Sequence, residues 1–319
     1  MKPMKKIKKV LLIYVLLAVS IVQWILPADS VQAKDKPAVS AHAYVVMDAN
    51  SGKVLYSQNP DKKIYPASTV KLMTALVVLD HCSLSEKVNI TKKMLKQVPA
   101  GTSNAGLKAG TTYTVSDLLH MLLLPSAADA AVCLSVKSCG STRKFVSNMN
   151  KKAKELGLTH SSFDNPIGLD IGDDYYKTYT NARDFAKLGR YAMSNKTIRS
   201  IVNKPSYRVP KSKKQKSFVI HNTNAFLSTV AYPKNLYTII GTKTGTTQAA
   251  GSVLIATATD DNGHEVICAF FGNQTRDQMY DDIKKLLRFT FVQAKNNKIS
   301  LTTKNELEPS EEDSSSFSF

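Results

Sequence analysis

With 319 residues, 43% of them hydrophobic and 21% charged, the chain is long enough for one large domain or two modest ones. This composition excludes an intrinsically disordered protein and is typical of a globular one. The formal net charge of +18 favours a polyanionic partner, and a basic surface that meets only solvent is the alternative interpretation.

The first 33 residues follow the order of a secretory signal peptide. Lysines at positions 2, 5, 6, 8 and 9 precede an uncharged run over residues 10–26, and Pro27 and the small-residue site Val31-Gln32-Ala33 follow. We expect cleavage after Ala33, with an uncleaved N-terminal anchor as the alternative. Either way, the rest of the chain is predicted to lie outside the cytoplasmic membrane, secreted or held at its outer face. Anionic wall polymers or the membrane surface then suit the basic charge better than nucleic acid.

Four cysteines are too few and too scattered for a disulfide framework in a chain of this size. Cys133 and Cys139 are close enough in sequence for a local bridge, but buried free thiols are the favoured interpretation. The six histidines show no ligand spacing with one another or with cysteines. The sequence therefore predicts neither a metal site nor a cofactor.

After a spacer over residues 34–40, the pattern predicts one folded domain over 41–293 and a polar, acidic, disordered tail over 294–319. Two β-rich stretches, 43–48 and 53–57, flank a Gly-containing turn and predict a hairpin. Helices are predicted from Ser68 onward and over 118–124, 127–136, 145–156 and 181–193. Strands are predicted over 207–210, 218–220, 236–241, 252–259 and 264–271, followed by a closing helix over 277–293.

Strands at both ends of the domain with helices between them predict an α+β fold. We expect an antiparallel sheet formed by the N- and C-terminal strands, flanked by helices, with a mostly helical middle subdomain beside it. The cleft between the sheet and the helical part is the expected place for a functional site.

Ser68 and Lys71 are the first candidate functional pair. They are three residues apart at the start of an apolar helix, so both side chains lie on one face, about 5–6 Å apart at Cβ. A lysine that is desolvated against a helical core can lose its proton near neutral pH and activate the serine as a nucleophile. The helix N-terminus also supplies N–H donors for an oxyanion. The pair predicts acyl-transfer chemistry.

Two later segments carry complementary groups. Ser126 is predicted to begin a helix and to place a second hydroxyl in the cleft. Lys243 and Thr244 are predicted to lie at the end of a strand, where they could hold a carboxylate. Gly245 has no side chain, so an extended peptide could lie along the strand edge.

The set Ser68-Thr69-Val70-Lys71, Ser126 and Lys243-Thr244-Gly245, in this order, resembles the low-molecular-mass penicillin-binding proteins, in particular the serine-type D-Ala-D-Ala carboxypeptidases. The resemblance also covers 47–55, 110–119, 156–158, 163–170 and 179–192, and so nearly all of 41–293. It implies the β-lactamase and penicillin-binding-protein-like fold, a catalytic domain over 41–293, peptidoglycan stem peptides ending in D-Ala-D-Ala as substrate, and β-lactams as covalent inhibitors.

The resemblance also implies a role for each catalytic residue. Ser68 would attack the carbonyl of the penultimate D-Ala and release the terminal D-Ala, after which water would hydrolyse the acyl-enzyme. Lys71 would be the base, and Ser126 would pass a proton toward the leaving amine.

The substrate-binding residues follow from the same resemblance. Lys243 and Thr244 would bind the terminal carboxylate, and Gly245 would leave room for the peptide. The backbone N–H groups of Ser68 and Thr246 would form the oxyanion hole.

One departure from the family pattern is Ala128. The second motif is usually Ser-x-Asn, and here the Asn amide is absent. Loss of a charge-assisted hydrogen bond costs about 1.5–3 kcal/mol, which slows a reaction roughly ten- to hundredfold. Asn104 and Asn224 are candidates to replace the amide. The alternative to an active enzyme is therefore a catalytically weakened protein that binds peptidoglycan or β-lactams.

A β-lactamase is the less favoured enzymatic alternative. Rapid deacylation usually depends on a glutamate in a loop beyond the second motif. Glu155 is the single glutamate between Ser126 and Lys243, and it is predicted to lie in a helix.

Overall fold

The core of the fold is a five-stranded sheet, seen in a computed structural model that describes residues 36–170 and 177–303. Its strand order is β2-β1-β9-β8-β7, and every neighbouring pair is antiparallel. Two-stranded sheets are formed by β3 with β4 and by β5 with β6. The strands are β1 (Ala43–Asp48), β2 (Val54–Gln58), β3 (Lys87–Asn89), β4 (Thr112–Thr114), β5 (Ser206–Val209), β6 (Phe218–His221), β7 (Thr238–Thr247), β8 (Gly251–Thr259) and β9 (Glu265–Asn273).

The large sheet is buried on both faces at its centre. All six residues of β1 are buried, and β8 and β9 are almost entirely so. These strands carry apolar residues in continuous runs, which is what burial on both faces requires. The predicted antiparallel sheet of N- and C-terminal strands is confirmed.

Eight α-helices lie in the described part of the chain. They are α1 (Lys71–His81), α2 (Lys92–Leu95), α3 (Val115–Leu123), α4 (Ala128–Cys139), α5 (Thr142–Glu155), α6 (Ala182–Ser194), α7 (Lys196–Val202) and α8 (Arg276–Lys295). Helices α6 and α8 pack against the sheet, and α3, α4, α5 and α6 surround α1. Because α1 is buried from Lys71 to Val78, it forms the centre of the predicted helical part.

Local sequence signals set several of these boundaries. Thr114 and Asp117 form a capping box at the start of α3, in which each side chain accepts from the other residue's backbone N–H. Gly140 ends α4 in the left-handed conformation, with φ of 77°. Such caps satisfy backbone groups that the helix cannot pair itself.

The structure differs from the predicted elements at several places. Strand β7 continues to Thr247, so Lys243 and Gly245 lie inside the strand and not at its end. Helix α7 and the small sheet of β3 and β4 were not predicted, because both are too short to show a clear period.

The C-terminal boundary also differs. Helix α8 extends to Lys295, and beyond it Leu301 is buried and Thr302 donates its N–H to the Asp48 carboxylate at 2.8 Å. The chain is thus packed against the domain past residue 294, where the prediction started a disordered tail.

The predicted signal peptide over residues 1–33 and the acidic tail beyond residue 303 lie outside the described residues. All described residues belong to one compact unit that begins at Lys36. Within them, no helix combines the length and the apolar character needed to cross a bilayer.

Candidate active site

Ser68 lies in a short 3₁₀ turn, Ala67–Val70, that leads directly into α1. The Lys71 Nζ donates to the Ser68 Oγ at 2.9 Å. The sequence prediction placed both side chains on one helix face, and the structure brings them into hydrogen-bonding contact. Ser68 itself is half-buried, so part of the residue is accessible to solvent.

Lys71 is desolvated. Its exposed fraction is 2%, and burial lowers its pKa to about 7, because water no longer stabilises the charged form. The Nζ has a second partner, the backbone carbonyl oxygen of Ile167 at 2.7 Å. An amine that is often neutral at physiological pH and touches a serine hydroxyl can accept the serine proton.

The loop that carries Ile167 is built around Asn165. The Asn165 Oδ1 accepts the N–H groups of Ile167, Gly168 and Leu169 at 3.2, 2.8 and 3.1 Å. Gly168 has φ of 76°, and a Cβ there would lie 1.9 Å from the Ala67 carbonyl oxygen. A glycine is therefore required where this loop meets the Ser68 turn.

Ser126 lies between α3 and α4, directly before the helix over 127–136 that it was predicted to open. Its φ is 65°, and α4 begins two residues later at Ala128. Its Oγ is buried without a hydrogen-bond partner among the described residues. Since an unpaired buried hydroxyl is costly, this atom is available to a bound molecule. The hydroxyl makes no hydrogen bond to Lys71 or Lys243.

Strand β7 forms the other wall of the site. It pairs with β8 along one side only, and the Ser68 turn packs against it. A Cβ on Gly245 would lie 2.9 Å from both the Ser68 backbone N and the Ala67 Cβ. The absence of a side chain at Gly245 thus lets the Ser68 turn approach the strand.

Lys243 is a second buried amine near Lys71, with an exposed fraction of 1%. Burial holds its pKa well below the usual range, and the nearby charges of Lys71 and Arg276 lower it further. Its Nζ donates to the Thr244 carbonyl oxygen at 2.9 Å. A carboxylate that entered the cleft would supply the countercharge that both lysines lack.

Thr244 and Thr246 also lie on β7, but in different surroundings. The Thr244 Oγ1 is buried and lies 2.6 Å from the Thr223 hydroxyl, whereas Thr246 is exposed. Arg276, at the start of α8, donates from its Nη2 to the Thr246 Oγ1 at 3.4 Å. Arg276 therefore adds a solvent-accessible cation to this end of the cleft.

Sequence reasoning assigned no role to Ile167 or Arg276. The Ile167 contact uses a backbone carbonyl, which has no residue-type signature. Arg276 is distant in sequence from every motif, and only its position at the start of a predicted helix could have drawn attention to it.

Ala128 leaves the Lys71 amine without an amide partner, as the sequence indicates. Neither proposed replacement bonds to Lys71. The Asn104 Oδ1 accepts the Asp129 N–H at 3.1 Å, and the Asn224 Oδ1 accepts the Phe226 N–H at 3.2 Å. The Ile167 carbonyl provides the second acceptor instead.

A serine hydroxyl in contact with a desolvated amine, beside a strand edge that carries further cations, is the arrangement of a serine acyl-transfer enzyme. Residues 30–275 match the peptidase S11 family, described as D-alanyl-D-alanine carboxypeptidase. The chain belongs to this family.

Relatives with the same description are known from several bacteria. The chain is 31% identical to D-alanyl-D-alanine carboxypeptidase DacF of Bacillus subtilis over 80% of its own length and 63% of that protein. It is 33% identical to DacC of Escherichia coli over 82% of its own length and 63% of that protein. The chain thus spans less than two thirds of the length of these two relatives.

The fold has a solved counterpart. The crystal structure of the Streptomyces K15 DD-transpeptidase superimposes with a TM-score of 0.73 at 32% sequence identity, covering 81% of this chain and 99% of that one. The described domain is therefore comparable in extent to that protein.

Proposed function

We propose that the protein is an exported serine D-Ala-D-Ala carboxypeptidase that trims the terminal D-Ala from peptidoglycan stem pentapeptides. The observation that carries the proposal is the 2.9 Å contact between the Ser68 Oγ and the buried Lys71 Nζ. Family membership supports the reaction class.

Acylation begins when neutral Lys71 takes the proton of Ser68. The serine oxygen then attacks the carbonyl of the penultimate D-Ala, and the developing oxyanion is held by the N–H groups of Ser68 and Thr246. The close packing of Gly245 on the Ser68 backbone supports this placement. In other serine hydrolases, removing one such donor costs about 3–4 kcal/mol of transition-state stabilisation.

The leaving D-Ala amine needs a proton when the peptide bond breaks. Ser126 is suited to pass it from Lys71, because its buried Oγ has no partner among the described residues to hold it elsewhere. Water then hydrolyses the ester on Ser68, and Lys71 again takes the proton. The acyl-enzyme thus divides one difficult amide hydrolysis into two easier steps.

The terminal carboxylate is bound by Lys243, Thr244 and Arg276 in this proposal. Two of these groups are cations, and Lys243 lacks a carboxylate partner within the described residues. Binding a carboxylate raises the pKa of Lys243 and so favours its charged form. A β-lactam, which carries a carboxylate and a strained amide, would acylate Ser68 in the same way.

A β-lactamase is disfavoured by the position of Glu155. It is the last residue of α5, and its carboxylate lies 3.9 Å from the Lys151 Nζ and 3.7 Å from the Lys152 Nζ on the same helix. It is thus engaged on the helix surface and does not serve as a base beside Ser68.

The test is the release of D-Ala. Purified protein is incubated with a pentapeptide ending in D-Ala-D-Ala, and free D-Ala is measured against a Ser68→Ala control. Release above the control supports the carboxypeptidase. Covalent labelling by penicillin without any release would favour the second candidate, a binding protein weakened by Ala128.

The proposal includes export, with residues 1–33 as signal peptide or anchor, and contact with an anionic wall polymer. Its support is a group of nine exposed lysines in β3, in and after α2, and in the loops next to β4 and between β5 and β6, none of which forms an ion pair between described residues. They are Lys87, Lys92, Lys93, Lys96, Lys108, Lys211, Lys213, Lys214 and Lys216.

The β3–β4 and β5–β6 sheets are held together by direct contacts. The Ser212 hydroxyl accepts the Thr112 N–H at 2.8 Å, and the Gln215 amide donates to the Gly106 carbonyl at 3.2 Å. The stretches 87–116 and 203–259 contain no acidic residue, so the positive charge is not compensated along either segment. Changing the four lysines of 211–216 to Gln should weaken co-sedimentation with anionic wall polymer and leave penicillin labelling unchanged.

A further inference from the structure

Helices α1 and α4 run from the candidate site to one distant corner of the fold. Helix α1 starts at Lys71, and α4 starts two residues after Ser126. The two helices pack against each other. Cys82 is the residue that caps the C-terminus of α1, and Cys139 is the last residue of α4. Each helix therefore has a predicted catalytic residue at or just before its N-terminus and a cysteine at or just after its C-terminus.

The two cysteines lie near each other at this corner. The Cys82 Sγ donates to the Ser138 Oγ at 3.6 Å, so it touches the residue before Cys139. The Asn148 Nδ2 lies 3.2 Å from the Cys139 Sγ and 3.2 Å from the Nε2 of His81, the residue before Cys82. The Cys82 sulfur thus contacts Ser138, the residue before Cys139. The Cys139 sulfur is connected through the Asn148 amide to His81, the residue before Cys82.

Ion pairs hold the same corner together. The Lys152 Nζ lies 2.7 Å from the Asp80 carboxylate, and the Lys137 Nζ lies 2.8 Å from the Glu86 carboxylate. They connect the end of α1 and the segment after it to α5 and α4. The two cysteines are therefore kept near each other by contacts that do not involve sulfur.

The four thiols, all free in this structure, fall into two groups. Cys82 and Cys139 are half-buried and reachable from solvent, whereas Cys133 and Cys268 are fully buried. Burial raises the pKa of Cys133 to about 12, and it also raises the pKa of Cys268 and of Cys139. Because Cys133 and Cys268 are closed to solvent whereas Cys82 and Cys139 are not, the buried pair serves as an internal control.

We propose that Cys82 and Cys139 are a modification site that forms a disulfide when the protein meets a disulfide oxidant outside the cytoplasm. The thiolate of one cysteine attacks the external disulfide, forms a mixed disulfide and releases one thiol. The second cysteine thiolate then attacks the protein sulfur of that mixed disulfide and releases the second thiol. Two protein thiols are oxidised, one external disulfide is reduced to two thiols, and the two protons go to those thiols.

The bond joins the far ends of the two helices and encloses the segment from residue 82 to residue 139, which includes Ser126. Such a crosslink restricts the unfolded chain and stabilises the fold. For a domain of this size, the expected rise in the thermal midpoint is about 5–15 °C. The pairing differs from the local Cys133–Cys139 bridge considered from the sequence, because Cys133 lies inside the buried core.

Peptide mapping identifies the pairing directly. The reduced full-length protein is treated with oxidised glutathione, free thiols are alkylated, and the protein is digested with trypsin without reduction. Cleavage after lysine and arginine puts Cys82 on peptide 72–87, Cys133 on 109–137 and Cys139 on 138–143. The proposal requires a species that links 72–87 to 138–143, with Cys133 and Cys268 alkylated.

Cysteine variants distinguish a Cys82–Cys139 disulfide from another pairing and from separate glutathione adducts. Cys139→Ser should leave Cys82 as a glutathione mixed disulfide and abolish the rise in the thermal midpoint on oxidation. The matched Cys133→Ser variant should keep both the bond and the rise. Ser68→Ala should also keep both, so the result does not depend on the proposed enzyme activity. A link from 138–143 to 109–137, or glutathione retained on both Cys82 and Cys139 of the unmutated protein, would overturn the proposal.

Discussion

Acylation of Ser68 by a penicillin should accelerate as the pH rises through about 7. Only the neutral Lys71 amine can take the serine proton, and burial places its pKa at about 7, against about 10.4 for a solvated lysine. At pH 7 about half of the molecules then carry the working base. With an ordinary pKa the share would be below about one in a thousand. Desolvation thus raises the active population about 10³-fold, equivalent to about 4 kcal/mol.

The assay is single-turnover acylation by a fluorescent penicillin from pH 5 to pH 10. Saturating penicillin is used so that the protonation of Lys243, which affects binding, does not shape the profile. The expected curve is a single sigmoid with its midpoint near pH 7 and a plateau above it. Ser68→Ala measures penicillin hydrolysis by the buffer, which is subtracted at each pH.

Lys71→Arg tests the same reasoning by another route. A guanidinium stays protonated at every pH of the assay, so it cannot serve as the base. Losing a general base should slow acylation by about 10²–10⁴-fold. A midpoint above pH 9 in the unmutated protein, or a Lys71→Arg rate equal to the original, would refute the assignment of Lys71 as base.

Three further substitutions test other parts of the site. Gly245→Ala should slow acylation about 10²-fold, because its Cβ would lie 2.9 Å from the Ser68 backbone N and displace the nucleophile turn; an unchanged rate contradicts the packing argument. Ala128→Asn should raise D-Ala release up to about tenfold by giving Lys71 a further acceptor, and an equal or lower rate means that the site is organised differently. Arg276→Gln should raise KM for a peptide with a free terminal carboxylate more than it lowers kcat. It should change neither for a peptide amide, which makes that substrate the control.

Local signals were enough to predict much of the fold. The β1–β2 hairpin follows from two β-rich stretches around a Gly-containing turn, and the start of α3 follows from the spacing of Thr114 and Asp117. The end of β7 was predicted wrongly because Gly241 and Gly245 look like turn residues in sequence. In the structure Gly245 lies within β7. A glycine is needed there because the Ser68 turn packs where a side chain would otherwise lie.

The site was predictable only where its contacts are local. Ser68 and Lys71 are three residues apart, so helix geometry alone brings them together. The contact from Lys71 to the Ile167 carbonyl joins residues 96 positions apart and uses a backbone atom, so no residue type indicates it. Arg276 reaches the cleft only because α8 begins beside β7, which is a property of the assembled sheet.

Ala67, the residue before Ser68, has a strained backbone that the packing around it must compensate. Its φ of 47° is an uncommon conformation for a residue with a side chain and costs roughly 1–3 kcal/mol. Gly168 and Gly245 each approach the Ala67–Ser68 backbone more closely than any other residue type would allow, so the turn is held between a loop and a strand. The packing that excludes side chains at these two glycines therefore compensates the strained backbone and fixes the Ser68 oxygen beside Lys71. A substitution at either glycine should consequently reduce acylation without removing any group that takes part in the chemistry.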